Sequence, residues 1–422
     1  MTPPSLLNEG DAGMTRVMPG MATALNEIDS TGTELVERMG TVAEVEPGTK
    51  QLDAEAAQLS ADAVQLEVDA VLDSAQASGV ASVRVVRVVR ETEDAVSIEL
   101  APEAAHAERF SYKPGQFLTL RIPSELTGSV SRCYSLSSAP HEDGPLKVTV
   151  KRTVEGYGSN WLCDNAVEGM SLDVLPPAGL FTPGSLDTDL LLFGGGSGIT
   201  PVLSILKSAL AQGSGHVTLI YANQHENAII FREELAELAA AHPDRLLVLH
   251  WLQSVQGLPR VEQLAALAKP WAAREVFVCG PGPFMDAVSA AMTSLGADRK
   301  RVHIEKFVSL SGNPFETDTT AVDMEAAAEA GDNATVQVEL DGENHEVTWP
   351  RQQTLLDVLL AKGLEAPYSC REGACSACVC RVVSGEVTMR RNEVLEDADL
   401  EDGYVLACQA VPVTDTVSVT YS

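Results

Sequence analysis

Eight cysteines occur in the 422 residues, and five of them crowd between positions 370 and 408. Cys370, Cys375 and Cys378 form a C-x4-C-x2-C run, and Cys408 follows after 29 intervening residues. This is the spacing of a plant-type [2Fe–2S] site with a distant fourth ligand. Two irons need four thiolates converging on one compact rhomb. Small residues in the loop (Gly373, Ala374, Ser376 and Ala377) let backbone N–H groups turn toward the sulfurs and stabilise the reduced charge. Zinc favours two short-spaced pairs, and only one such pair is present. Cys380, on the strand that follows, is read by alternation as pointing away and is left out. A centre of this kind carries one electron at a time, at roughly −400 mV.

Two further groups of residues could hold a flavin nucleotide. Arg132-Cys133-Tyr134-Ser135 stands before a strand, and Gly156-Tyr157-Gly158-Ser159 opens a helical stretch, Ser159–Asn165. A flavin needs an aromatic face, which Tyr134 offers, and a hydrogen-bonding group near its redox nitrogen N5, which Ser135 offers. Its phosphates need a cation and free helix-start N–H groups, met by Arg132, Gly158 and Ser159. Taken alone, Arg-x-Tyr-Ser reads equally well as an ordinary strand with a surface arginine. Cys133 and Cys163 read as packing residues.

A glycine-rich turn, Phe193-Gly194-Gly195-Gly196-Ser197-Gly198-Ile199-Thr200-Pro201, joins a strand to a helix. Such glycines let a pyrophosphate approach the backbone at a helix start, although the pattern is not G-x-G-x-x-G. Cys279-Gly280-Pro281 ends another strand, where parallel sheets bind ligands; Cys279 alone reads as a small core residue. The stretch Ala222-Asn223-Gln224-His225-Glu226 has no Arg or Lys to meet a 2′-phosphate, which favours NADH over NADPH.

These groups must be positioned by surrounding elements. Residues 1–80 carry no aromatic residue, and their 14 acidic and 3 basic residues give a net charge of −11. They are expected to be disordered or partly helical, with Leu52, Leu59 and Leu66 as a weak heptad seam. Residues 81–184 read as an antiparallel β-barrel, from strands at Ser82–Val89, Ala95–Leu100, Phe117–Ile122 and Leu146–Lys151. In 185–312, short apolar strands alternate with helices (Pro201–Ala211, Arg232–Ala241), which predicts a parallel α/β sheet. Residues 313–333 hold six acidic and no basic residues and read as a linker. In 334–422 a hairpin turns at Asp341-Gly342 and a helix over Leu355–Lys362 ends at Gly363. The expectation is a multidomain protein whose last domain is an α+β, β-grasp fold. The whole-chain charge of −31 argues against nucleic acid or an anionic membrane surface as partner. No membrane-length apolar run and no secretory signal are apparent, so the expected location is cytoplasmic.

Together these groups resemble the ferredoxin–NADP reductase superfamily carrying a C-terminal plant-type ferredoxin domain. The narrower likeness is to reductase components of 3-ketosteroid 9α-hydroxylases. It is carried by Pro114-Gly115-Gln116-Phe117, Arg132–Ser138, Val148–Arg152, Ser159-Asn160-Trp161-Leu162, Gly196–Pro201, Cys279-Gly280-Pro281-Gly282-Pro283-Phe284 and Tyr368–Cys380, and extends over 82–422. The resemblance implies FAD in the barrel, with Arg132 on the phosphates, Tyr134 on the ring, Ser135 near N5, and Val150 and Lys151 beside it. It implies nicotinamide docking between Thr200 and Cys279, next to Gly280, and places Glu305 near the flavin edge, tuning proton movement. Gln224-His225 stands where a basic residue is expected, and Ser376 where the tightest cluster loops have glycine.

The implied activity is conversion of two-electron to one-electron transfer, from NADH through FAD and [2Fe–2S] to a separate terminal oxygenase, here a Rieske-type 3-ketosteroid 9α-hydroxylase. Related acceptors are a phenylacetyl-CoA epoxidase, a fatty-acid desaturase or an aromatic-ring oxygenase. The alternative from another class is a redox-sensing binding module. The acidic run Glu393, Glu396, Asp397, Asp399, Glu401 and Asp402 is expected to help dock a basic patch on the oxygenase.

Overall fold

The computed structural model describes residues 80–315 and 331–421. The acidic extension with its heptad seam, and 316–330 of the linker, lie outside the described residues.

Six antiparallel strands form the first sheet: β1 (Ala81–Arg90), β2 (Ala95–Pro102), β3 (Phe117–Ser124), β4 (Gly128–Ser135), β5 (Leu146–Lys151) and β6 (Ser171–Ala178), in the order β4-β3-β6-β1-β2-β5. The two edges meet where Leu136 bridges Val148, so the sheet closes into a barrel. Alternation along each strand turns Val85, Ile98, Leu120, Ile122 and Val148 into the interior. Helix α1 (Tyr157–Asn165) packs against β5.

One expectation is corrected here. Arg132-Cys133-Tyr134-Ser135 does not precede a strand; it forms the end of β4, paired to β3 from Leu120↔Arg132 to Phe117↔Ser135. Small polar residues at Ser129 and Ser131 hide the apolar alternation by which a strand is recognised.

The second sheet is wholly parallel, ordered β11-β10-β7-β8-β9. Its elements are β7 (Leu190–Gly195), α2 (Ile199–Gln212), β8 (Val217–Asn223), α3 (Arg232–Ala241), β9 (Leu246–Leu252), α4 (Gln253–Gln256), α5 (Val261–Ala268), β10 (Glu275–Cys279), α6 (Gly282–Ser294) and β11 (Val302–Glu305). The chain winds from β7 outward to β9, then crosses back to β10 on the other side of β7. The β7/β10 boundary is therefore the switch point, and ligands bind outside the strand ends there.

The third unit is a mixed sheet in the order β13-β12-β18-β14-β16, with a two-stranded ribbon beside it. It comprises β12 (Asn333–Leu340), β13 (Glu343–Pro350), α7 (Leu355–Ala361), β14 (Val379–Ser384), β15 (Val387–Met389), α8 (Asp397–Glu401), β16 (Tyr404–Leu406), β17 (Ala410–Pro412) and β18 (Thr416–Thr420). Thr354 caps α7, and Leu355, Leu356, Val358 and Leu359 enter the core beneath the cysteine loop. This is the β-grasp arrangement, and the chain is multidomain as expected. Among the described residues no helix is long and apolar enough to cross a membrane.

Candidate redox site

A cleft of about 1290 Å³ opens where the barrel meets the switch point of the parallel sheet. That exceeds the ~300–1,000 Å³ of a single small-ligand pocket and suits two extended nucleotides. Arg132, Tyr134, Ser135, Lys151, Gly158, Ser159, Gly195, Gly196, Thr200 and Gly280 all line it. Residues 50 to 150 positions apart are thus gathered as the sequence motifs require. Four of the singled-out residues do not line it. Val150 is wholly buried in the barrel core, Pro201 lies inside α2, and the Cys279 thiol is buried among apolar side chains. Gly198 sits against β10: a Cβ added there would lie 2.2 Å from the Cys279 carbonyl oxygen. Its lack of a side chain lets the glycine turn cross the end of β10, so its contribution is closeness of packing.

Arg132 donates from Nη1 to the carbonyl of the adjacent Ser131 (2.6 Å) and to that of Leu310, in the segment after β11 (3.2 Å). Lys151 pairs with Asp94 at 3.4 Å. The Ser159 hydroxyl donates to the Gly156 carbonyl and accepts from the Thr153 N–H, tying down the turn before α1. Burial pushes the Tyr134 phenol well up, keeping it neutral. Asn223, at the end of β8, is buried, lines the cleft, and has neither amide atom paired within the protein. Sequence reading passed over this residue; a polar side chain ending a parallel strand was the available signal.

A second, smaller cavity of about 80 Å³ lies between the barrel and the cysteine loop, lined by Ser135, Glu305, Cys375, Ser376 and others. Cys133, Ser135, Lys306, Phe307 and Val308 border both cavities and form the wall between them. Glu305 ends β11 and pairs in register with Cys279. It is partly open to the cavity, yet burial pushes its carboxyl up to about 8. The same effect, with Glu305 adding to it, raises the Cys279 thiol; burial above all takes Cys133 up to about 12.

Cys370, Cys375, Cys378 and Cys408 are all buried at one end of the β-grasp core. Cys370 contacts Cys375 and Cys408, and Cys408 contacts Cys378. The Ala374 N–H donates to Cys370 Sγ (3.3 Å) and the Cys370 N–H to Cys375 Sγ (3.4 Å). Backbone donors thus already face sulfur acceptors, and the loop makes room for them through Gly373, whose φ of +75° brings it against the Arg391 carbonyl. The thiols cannot share charge freely. Hydrogen bonds from Cys375 and Cys408 hold Cys370 well below the ordinary thiol range, while Cys375 and Cys408 are pushed up by that same contact. A cationic centre would relieve this conflict. Four buried thiols with backbone N–H donors turned toward their sulfurs fit a binuclear iron–sulfur cluster.

The reason for leaving out Cys380 needs correcting. Residues two apart share a strand face, so alternation with Cys378 does not separate them. Cys378 belongs to the loop, whereas Cys380 lies within β14, buried beside Tyr421. The acidic run also has a different setting. Glu396 pairs with Arg299 and Lys306, and Asp402 with Lys300. Asp399 accepts from the Glu396 N–H at the start of α8. Glu396 and Asp402 thus meet the chain's own basic turn in the nucleotide-binding domain, while Asp397 and Glu401 are exposed.

Comparisons with known proteins agree with this geometry. Residues 83–182 match the oxidoreductase FAD-binding domain, 192–290 the oxidoreductase NAD-binding domain, and 338–413 the 2Fe-2S iron-sulfur cluster binding domain. The chain is 58% identical over 337 residues to the ferredoxin reductase component of 3-ketosteroid-9-alpha-monooxygenase from Rhodococcus rhodochrous, covering 80% of this chain and 95% of the relative. It is 56% identical to the protein of that name from Mycolicibacterium smegmatis, covering 83% and 99%. A component of the 1,2-phenylacetyl-CoA epoxidase of Escherichia coli is 33% identical, covering 81% and 97%. Among solved structures, full-length CYP116B46 from Tepidiphilus thermophilus superposes with a TM-score of 0.56 at 27% identity, over 81% of this chain and 42% of that one. With its FAD-, NAD- and [2Fe–2S]-binding domains in this order, the chain belongs to the ferredoxin reductase components of 3-ketosteroid-9-alpha-monooxygenases.

Proposed function

We propose that this reductase takes electrons in pairs from NADH and releases them singly to a Rieske-type 3-ketosteroid 9α-hydroxylase in the cytoplasm. The observation that carries the reading is the wall shared by the two cavities: Ser135 faces the nucleotide cleft on one side and the Cys375 loop on the other. Bound there, FAD would supply hydride acceptance and one-electron release, and a [2Fe–2S] cluster held by the cysteine loop would supply one-electron carriage.

The chain's own groups divide the remaining work. Arg132, Gly158 and Ser159 meet the flavin phosphates, Tyr134 covers the ring, and Val150 and Lys151 support it from β5. Ser135 supplies a hydroxyl near N5. Gly195, Gly196 and Thr200 line the turn for the nicotinamide dinucleotide, with Gly280 closing its far side, while Gly198, Pro201 and Cys279 support that turn from behind. Glu305, neutral near pH 7, can hold a proton beside the flavin edge. Cys370, Cys375, Cys378 and Cys408 are the cluster ligands. The unpaired Asn223 amide suits ribose hydroxyls, and Ala222–Glu226 lacks a cation for a 2′-phosphate, which favours NADH. A steroid hydroxylase as acceptor is favoured by 58% identity against 33% for the epoxidase component. All eight cysteines are free, as a reducing compartment requires.

The test is an absorption spectrum of the purified protein, followed by anaerobic titration. Overlapping flavin and iron–sulfur bands should bleach with about 1.5 equivalents of NADH, two electrons for the flavin and one for the cluster. NADPH should bleach them far more slowly. A colourless protein, reconstituted with iron, sulfide and FAD, would overturn the reading.

A further inference from the structure

Strand β4 has two faces with different tasks. Arg132 and Tyr134, at alternate positions, line the nucleotide cleft. The other set, Ser129, Ser131 and Cys133, points the opposite way, and only at the end of the strand do Cys133 and Ser135 of this set also border the cleft. Ser129 and Ser131 are buried, though nothing in a barrel wall calls for serine at two successive positions of one face.

Ser129 and Ser131 meet the segment that follows β11, and Cys133 meets the residue that leads into the cysteine loop. Asn313 donates from Nδ2 to Ser129 Oγ at 2.7 Å, and Ser131 Oγ donates to the Gly312 carbonyl at 2.9 Å. Cys133 Sγ lies 3.9 Å from Ser369 Oγ, the residue before the first cluster cysteine. Thr119, opposite Cys133 on β3, shares a 2.5 Å hydrogen bond with Ser369 and a 3.4 Å contact with Cys133. Phe117 and Ala178 of the barrel pack with Leu310, Cys370, Ala374, Cys375 and Ala377 in one apolar cluster.

The segment after β11 is gripped from its other side by Glu372, inside the C-x4-C loop. Its carboxylate accepts from the Ser311 N–H (2.8 Å), the Ser311 hydroxyl (2.6 Å) and the Gly312 N–H (2.7 Å). Arg391 stands 3.7 Å away. The carboxylate side chain is only 12% exposed. Charge-assisted bonds shielded from water are the strong ones, and three converge on this one residue.

We propose that the Ser129–Ser131–Cys133 face of β4, closed by Glu372, is a docking rail that fixes the cluster loop against the flavin site, with Glu372 as its positioning residue. One strand then serves both cofactors: Arg132 and Tyr134 serve the electron donor, and the rail sets where the acceptor sits. This rests on the proposed flavin site, because the rail matters for transfer only if the flavin lies in the cleft that the end of this strand borders. Electron transfer between the two groups falls with separation, so the placement of the loop sets its rate.

The experiment uses the full-length protein loaded with FAD and cluster, comparing wild type with Glu372→Ala, Glu372→Gln and Ser311→Ala. Stopped-flow mixing with NADH follows flavin bleaching and cluster reduction separately, and hydrogen exchange follows the Ser311 and Gly312 amides. Glu372→Ala should leave flavin bleaching unchanged, slow cluster reduction by about tenfold or more, and accelerate exchange of those two amides. Glu372→Gln, which keeps one acceptor oxygen, should fall between it and wild type. If Glu372→Ala loses iron, Ser311→Ala decides, since it lies outside the cysteine loop and should show the same effects more weakly. Cluster reduction at the wild-type rate, or unchanged amide exchange, overturns the rail. Failure of wild-type flavin to bleach would instead overturn the flavin site, leaving the exchange result to judge the rail alone.

Discussion

The two handover points of this reductase are built differently. Between barrel and parallel sheet lies an open cleft of about 1290 Å³, with a buried amide, Asn223, left unpaired at its edge. Between barrel and cysteine loop the remaining space is about 80 Å³, and a hydrogen bond between Thr119 and Ser369 joins the two directly. A diffusing nucleotide must enter and leave, so its site needs room and unsatisfied groups. A cluster held by its own chain need only be kept close, so contact replaces space. Their anchoring differs in the same sense. Lys207, only 5% exposed, joins the barrel to the parallel sheet through Glu142 (2.9 Å) and Glu234 (3.1 Å). The ferredoxin domain meets the sheet through exposed pairs around Glu396.

The contrast is broken most severely at the glycine turn. Gly198→Ala puts a methyl 2.2 Å from a backbone oxygen of β10, and neither strand nor turn can yield locally. The expected loss is about 3 kcal/mol of stability, with NADH-driven flavin bleaching slowed by the displaced turn. Denaturant unfolding and anaerobic stopped-flow measure the two effects. The cluster bands should be retained, because the cysteine loop lies elsewhere. Loss of cluster with an intact nucleotide site would reverse the distinction drawn between the junctions.

Lys207→Met comes next. Burial draws the Glu142 carboxyl upward, but the Ala139 N–H and Lys207 outweigh it and hold it below its ordinary range. Without the ammonium, two partly exposed carboxylates face each other across the junction. Breaking a buried pair costs up to ~5 kcal/mol, and water around both carboxylates reduces this to about 2 kcal/mol. The loss should be little changed by salt, as measured by unfolding at low and high ionic strength, because the lysine is shielded.

How much of this was legible beforehand depended on whether the signal was local. The Cys370–Cys378 run and the strand–glycine–helix turn at Phe193–Pro201 each encode their geometry within nine residues. β4 did not, because Ser129 and Ser131 exchange apolar alternation for hydrogen bonds to residues some 180 positions away. Nothing near Glu372 in the chain announces Ser311 and Gly312 as its partners. Likewise nothing near Glu396 and Asp402 in the chain announces that folding brings Arg299, Lys300 and Lys306 to them. Cys279, singled out for chemistry, proved to have its thiol in the core, the ordinary fate of a small apolar residue at a strand end.

Glu305 sharpens the comparison from inside the closed junction. Its carboxyl, raised from 4.5 to about 8 by burial, binds its proton more tightly in the folded chain than in the unfolded one. The stabilisation this gives is complete below pH 4.5, declines as pH rises, and is gone above about pH 8. Glu305→Gln should therefore match wild type in melting temperature near the acid end of this window. It should be the more stable protein by about 1–2 kcal/mol above the window, given the carboxyl's opening to the small cavity. Melting temperatures across the window read the difference directly. Parallel curves for the two proteins would mean that the carboxyl is ionised and solvated, and that the small cavity is wet.

The mildest break is at Glu396, where the ferredoxin domain touches the basic turn of the nucleotide-binding domain. Its pairs with Arg299 and Lys306 have side chains 39–56% exposed, so the Coulomb gain is diluted by water and by the entropy of holding long side chains. Glu396→Gln should cost below about 1 kcal/mol, and the cost should vanish near 1 M salt, where screening acts within ~3 Å. Cluster reduction by NADH should slow less than in Glu372→Ala, because the rail on β4 still holds the loop. If Glu396→Gln slowed it as much, the surface pairs would be what keeps the cluster in place. The closed junction would then be as salt-sensitive as an encounter between separate proteins.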